Sequence, residues 1–143
     1  MKDLTLDQQI VLDFIAAQPL GVFCTINAQG LPEAAVMAVS QTDKLELIFQ
    51  TPNTTRKYAN LQANPHIAVV IGWDSEDFTT VQYEGMVREV VDNNERAECA
   101  RIHDGKKGPG AKSYSHIPEN KFFVVTPTYI RYTDPTRTIE LTF

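Results

Sequence analysis

Cysteine is nearly missing from this chain. The two present, Cys24 in "VFCTI" and Cys99 in "RAECARI", cannot build a disulfide framework. Their surroundings read as one strand and one helix carrying small buried hydrophobes, and a reducing cytoplasm is the expected setting. Long apolar runs are missing as well. None approaches the roughly 18–20 residues that span a bilayer, so no membrane partner is expected. The opening "MKDLTLDQQIVLDFI" is interrupted by Asp3, Asp7 and Asp13, unlike a signal peptide. A basic excess is lacking: 13 Lys and Arg against 18 Asp and Glu leave a net charge of −5. That argues against a nucleic-acid surface but still permits a local basic pocket for a small anion. Metal-site spacing is absent, since His66, His103 and His116 lie far apart; each reads as a surface or cap residue. Ser113 and Ser115 sit near His116 without an oriented carboxylate, so a hydrolytic triad is not expected. No side chain stands out as a general acid or base, and catalytic residues stay unassigned.

What is present fits one ordinary domain over residues 1–143, with 43% apolar and 22% charged residues. Thr5 and Gln8 form a T-x-x-Q capping box, followed by Leu6, Ile10 and Phe14 on one helical face. The period then changes to two. "GVFCTI" and "EAAVMAVS" flank the turn-rich "NAQGLP" and read as a hairpin. "KLELIFQ" alternates, a short helix is expected over about 53–63, and "HIAVVIGW" reads as a strand buried on both faces. "FTTVQYEGMVREVV" is a long strand with Gly85 at a bulge or close approach. "DNNERAECARIH" reads as a helix capped by Asp92 and Glu95, and "DGKKGPGAKSYS" as a loop. "KFFVVT" and "YIRYT" read as late strands split by "PT", with "RTIELTF" as a further one. Without a βαβα rhythm, a mostly antiparallel barrel or sandwich with helices packed on it is expected.

One segment stands apart. "TPNTTRKYANLQANP" puts Arg56 and Lys57 in the first turn of a helix, where the dipole disfavours cations. Thr51, Asn53, Thr54 and Thr55 add short polar side chains. One reading is an anion site, with a bound phosphate offsetting the conflict. The other is a plain capped helix with two solvated cations. The segment is not a P-loop, because it lacks the Gly-rich pattern. Trp73 reads as a packing residue at a strand end, with contact to a ring-shaped ligand as the alternative.

With those residues quoted, the order "GVFCTINAQGLPEAAVMAV", "LELIFQTPNTTRKYANLQANPHIAVVIG", "VQYEGMVREV" and "FFVVTPTYIRYTD" resembles the pyridoxamine 5′-phosphate oxidase-like family of FMN-binding split barrels. The resemblance implies a mainly β fold, a six-stranded antiparallel Greek-key split barrel with a few helices, working as a homodimer with FMN between subunits. It implies that Arg56 and Lys57 pair with the FMN phosphate and that Thr51 and Thr55 supply hydroxyls. Backbone around Val36, Met37 and Ala38 would line the isoalloxazine edge, and Phe49, Gln50 and Thr51 would run beside the ring and ribityl chain. Gln82 matches a position that reaches a flavin held mainly by the other subunit, and Tyr129 and Arg131 lie in a tail that approaches the cleft. The C-terminal Arg-x-His substrate motif of true pyridoxamine phosphate oxidases is absent from "YIRYTDPTRTIELTF". The implied function is an FMN-dependent oxidoreductase acting on a small molecule. The alternatives are a non-catalytic flavin-binding or stress-related module, or a deazaflavin-binding relative.

Overall fold

A computed structural model describes residues 3–143. Helix α1 (Leu6–Ala16) begins at its capping box: Gln8 N–H donates to Thr5 Oγ1 at 3.1 Å, and Thr5 N–H donates to Gln8 Oε1 at 2.9 Å. Its inner face buries Val11, Leu12 and Ile15. Helix α2 (Arg56–Ala63) is capped by Thr55, and α3 (Asn93–Lys107) by Asp92, whose carboxylate accepts from Glu95 N–H at 2.9 Å. None of these helices is long and apolar enough to cross a membrane.

Strands β1 (Leu20–Ile26), β2 (Pro32–Ala38), β3 (Ser40–Gln41), β4 (Leu47–Pro52), β5 (His66–Ile71), β6 (Thr80–Glu89), β7 (Asn120–Asp134) and β8 (Arg137–Thr142) make one sheet. Its order is β2-β1-β5-β6-β7-β4-β3, with β8 on β7, and every pairing is antiparallel. The sheet therefore has eight strands rather than the expected six. Strand β3 has only two residues, too few to show an alternation in sequence. The two rims of the sheet, β2 and β3, are joined by the single residue Val39. Rims that adjoin along the chain force the sheet to curl, which agrees with a split barrel.

Two further expectations are corrected. The run in β5 is not buried on both faces: Ile67, Val69 and Ile71 point into the core, while His66, Ala68 and Val70 are exposed. The strand buried on both faces is β4. Leu47 and Phe49 enter the main core, and Ile48 enters a second cluster with Val90, Cys99, Phe122 and Val124 beneath α3. The "PT" dipeptide does not split the late strands either. Strand β7 runs unbroken for 15 residues, because Pro127 sits at a bulge that needs no N–H from it. The register shifts between Glu84 and Gly85, and the extra residue Thr128 donates its hydroxyl to Glu84 O at 3.1 Å.

Inside the curl, Phe23, Phe49 and Phe123 form a row with ring centroids 4.9 and 5.2 Å apart. Helix α2 is fastened outside this row on both sides. Tyr58 donates its hydroxyl to Glu89 at 2.6 Å, and Asn60 reaches the β1–β2 hairpin. That fastening fixes where the first turn of α2, and its two cations, sit.

Candidate functional site

The exit of β4 and the start of α2 form a tight polar corner. Thr55 Oγ1 donates its one hydrogen to Pro52 O at 3.1 Å, so the hydrogen between Thr51 and Thr55, 3.0 Å apart, belongs to Thr51. Tyr58 N–H then donates to Thr55 Oγ1 at 3.2 Å. Both hydroxyls are thereby committed to capping the helix. The backbone N–H groups of Arg56 and Lys57, at the first two helical positions, have no acceptor among the described residues. Two free amides, the positive end of the helix dipole, a guanidinium and an ammonium meet at one point.

A hollow of about 90 Å³ beside this corner is lined by Phe23, Thr25, Glu33, Ala34, Ala35, Arg56 and Lys57. On the other side of Lys57 a cleft of about 450 Å³ opens between the sheet and α3. Its sheet wall comprises Met37, Ala38, Gln50, Thr51, Pro52 and Asn120; its other wall comprises His103, Lys107, Tyr114 and Ile117. Lys57 lines both spaces. The cleft wall is mainly apolar with a few polar groups, the make-up of a small-molecule site. Gln50 Oε1 is buried there without a hydrogen-bond partner among the described residues. A buried acceptor left bare costs free energy unless a ligand donor meets it.

The wall formed by α3 and residues 108–119 is well tied down. Ser113 and Ser115 each donate a hydroxyl to Asp104 at 2.9 Å, and Asn120 Nδ2 donates to Tyr114 O at 3.0 Å. Two ammoniums lie over the Tyr114 ring, Lys107 at 5.4 Å and Lys112 at 5.5 Å from its centroid. Deeper in, Ser40 Oγ lies 2.7 Å from His103 Nδ1, and burial pulls the His103 pKa down to about 4, so the imidazole is neutral at pH 7. Lys106 donates to Ile15 O at 3.1 Å and Gln41 Oε1 at 2.8 Å, and burial lowers it to about 8.

Of the residues singled out in the sequence, the structure gathers Met37, Ala38, Gln50, Thr51 and Lys57 at the cleft, with Arg56 and Thr55 at its corner. Val36 points outward from β2. Phe49 is fully buried in the aromatic row, so its side chain faces away from the cleft. Gln82 is exposed on β6, opposite Arg131 on β7 and away from the cleft-lining residues. Tyr129 pairs through its hydroxyl with Glu140 at 2.9 Å. Trp73 is not a packing residue: it is 55% exposed beside a separate hollow with Phe14, Gly72 and Asp77. His103 is not a surface or cap residue either, being 2% exposed beneath α3.

Glu33 carries no signal in the sequence. Its carboxylate accepts from Asn60 Nδ2 at 2.9 Å and Asn27 Nδ2 at 3.1 Å, and lies 3.5 Å from the Arg56 guanidinium. Those two amide bonds, with Arg56 behind them, hold its pKa below the usual carboxylate value. The opposite wall draws on two stretches of sequence: His103 lies in the one read as a helix, and Lys107 and Tyr114 in the one read as a solvated loop, which could also close over a ligand.

A family model described as pyridoxamine 5′-phosphate oxidase matches residues 8–134. The chain belongs to that family. A pyridoxine/pyridoxamine 5′-phosphate oxidase of Burkholderia vietnamiensis is 26% identical over 98 residues, covering 68% of this chain and 45% of that protein. Among solved structures, a heme binding protein from Mycobacterium smegmatis superposes with a TM-score of 0.82 at 16% identity, over 99% of this chain and 60% of that one. General Stress Protein 26 from Bacillus anthracis superposes at 0.72 and 19% identity, covering 94% and 98%. This chain thus spans less than half of the oxidase relative and about three fifths of the heme binding protein, and the structural likenesses establish the fold.

Proposed function

We propose that this member of the pyridoxamine 5′-phosphate oxidase family binds FMN and works as an oxidoreductase on a small molecule. The observation that carries the reading is the continuity of the phosphate corner with the apolar cleft at Lys57. A phosphate at the α2 start would be held by the Arg56 and Lys57 side chains and their free amides, and an attached planar ring would extend into the cleft. There Gln50 Oε1 offers a bare acceptor to a ring N–H. Bound FMN would supply the electron or hydride transfer. The protein's own part is to bind, orient and exclude water. Thr51 and Thr55 keep the helix start rigid through their own hydrogen bond, and Met37, Ala38 and Ile117 keep the cleft wall dry.

A homodimer forms part of the proposal. Supporting it is the outer face of the sheet, where Val36, Val70 and Met86 are exposed although apolar. Gln82 and Arg131 share that side and would be offered to the flavin of the second subunit. A second reading, flavin binding without turnover, draws on the neutral His103 and on a cleft with no carboxylate among the described residues that line it.

The experiment is the absorption spectrum of protein reconstituted with FMN, run on wild type and on Arg56→Ala with Lys57→Ala. Wild type should retain flavin and the double variant should release it while staying folded. Stoichiometric flavin in the double variant defeats the assignment. Steady-state oxidation of NAD(P)H by the loaded protein separates enzyme from binder.

A further inference from the structure

We infer that Glu33 is a built-in competitor for the ligand's phosphate at Arg56, setting how tightly the site holds a phosphoryl group. The inference rests on reading Arg56 and Lys57 as a phosphate site. Glu33 lines the same 90 Å³ hollow as both cations. It is locked in place by Asn60 and Asn27, with its side chain 18% exposed, whereas Arg56 is 82% exposed and free to swing. The carboxylate is thus the fixed partner and the guanidinium the mobile one.

Two opposing effects follow, and magnitudes decide between them. Glu33 orients Arg56, but through one 3.5 Å contact on an exposed side chain, a kind of pair that contributes little. Against this, a phosphate dianion held by the same guanidinium must lie within several ångströms of a permanent negative charge. Even in a water-like dielectric, that repulsion weakens binding by about tenfold. Repulsion wins, so the site holds its phosphoryl ligand exchangeably, with Lys57 and the two free amides carrying much of the grip.

The test is calorimetric titration of FMN, riboflavin and inorganic phosphate into wild type and Glu33→Gln. FMN and inorganic phosphate should each bind about tenfold tighter to the variant, with riboflavin unchanged. FMN affinity that stays level or falls overturns the inference, as does an equal gain for riboflavin. If inorganic phosphate tightens while neither protein takes FMN, the flavin reading fails and the role of Glu33 stands. Because the new amide in Glu33→Gln faces Asn27, Arg56→Gln is also placed in both backgrounds. It should cost more phosphate affinity in the Glu33→Gln protein, where no carboxylate competes for the guanidinium, than in wild type. Equal losses in the two backgrounds also overturn the inference.

Discussion

The Ser40 hydroxyl sits 2.7 Å from Nδ1 of His103, joining the shortest strand of the sheet to the longest helix. Both residues are buried, and Ser40 also reaches Ile48 O at 3.3 Å. Helix α3 is therefore seated on β3 and β4 through a polar contact set among apolar ones.

The burial of His103 makes the fold acid-sensitive. Burial, then Lys107, lowers the His103 pKa to about 4; Asp104 opposes this and Lys106 adds to it. The unfolded chain, with an ordinary value near 6.5, binds the extra proton first. Stability is therefore full above about pH 6.5 and falls as the pH drops toward 4, by about 3 kcal/mol at most. Urea midpoints measured between about pH 7 and pH 4 should decline more steeply in wild type than in His103→Gln. Parallel curves would sink this assignment.

Gly85 and Gly105 should respond oppositely to alanine. A Cβ at Gly85 would meet Thr126 O at 2.5 Å and Val125 Cγ1 at 2.8 Å, against a backbone pinned by the bulge. Gly85→Ala is expected to cost about 1–3 kcal/mol. At Gly105, inside α3, a Cβ meets nothing within 4 Å, and Gly105→Ala should stabilise by about 0.5–1 kcal/mol. Thermal melts of the two variants read the contrast directly.

Asn60 holds α2 against the hairpin with one amide nitrogen, 3.0 Å from Thr25 Oγ1 and 2.9 Å from Glu33 Oε1. Asn60→Ala leaves a buried threonine hydroxyl and a carboxylate without their shared donor, at a cost of about 1–3 kcal/mol. Combined with Glu33→Ala, the losses should fall short of additive, because both changes break the same link. Strict additivity in denaturant titrations would show that the two side chains act separately.

Much of the scaffold is legible in local chemistry. The "NAQGLP" turn, the Thr5–Gln8 box and the Asp92 cap each act within a few residues, and each forms where the pattern puts it. The exceptions depend on distant partners. Strand β5 is apolar after His66, yet only alternate residues are covered within one chain, and nothing in that run tells that one of its faces lacks a covering layer. Pro127 reads as a break because the bulge that accommodates it is set by Gly85, far earlier in the sequence. The corner at Arg56 and Lys57 is legible as a charge conflict at a helix start. Glu33 is not, since only the hairpin's register and the reach of Asn60 bring it there. His103 likewise looks solvated in a charged segment until α3 is laid on β3.

Val39, the lone residue between the two rims of the sheet, has a mechanical consequence. Met37 and Ala38 wall the cleft just before it, and Ser40 grips His103 just after it. A guest that nudges the first pair must tug the second through a short lever. A probe on α3 should therefore respond when the cleft is filled, and a silent probe would show that the two are independent.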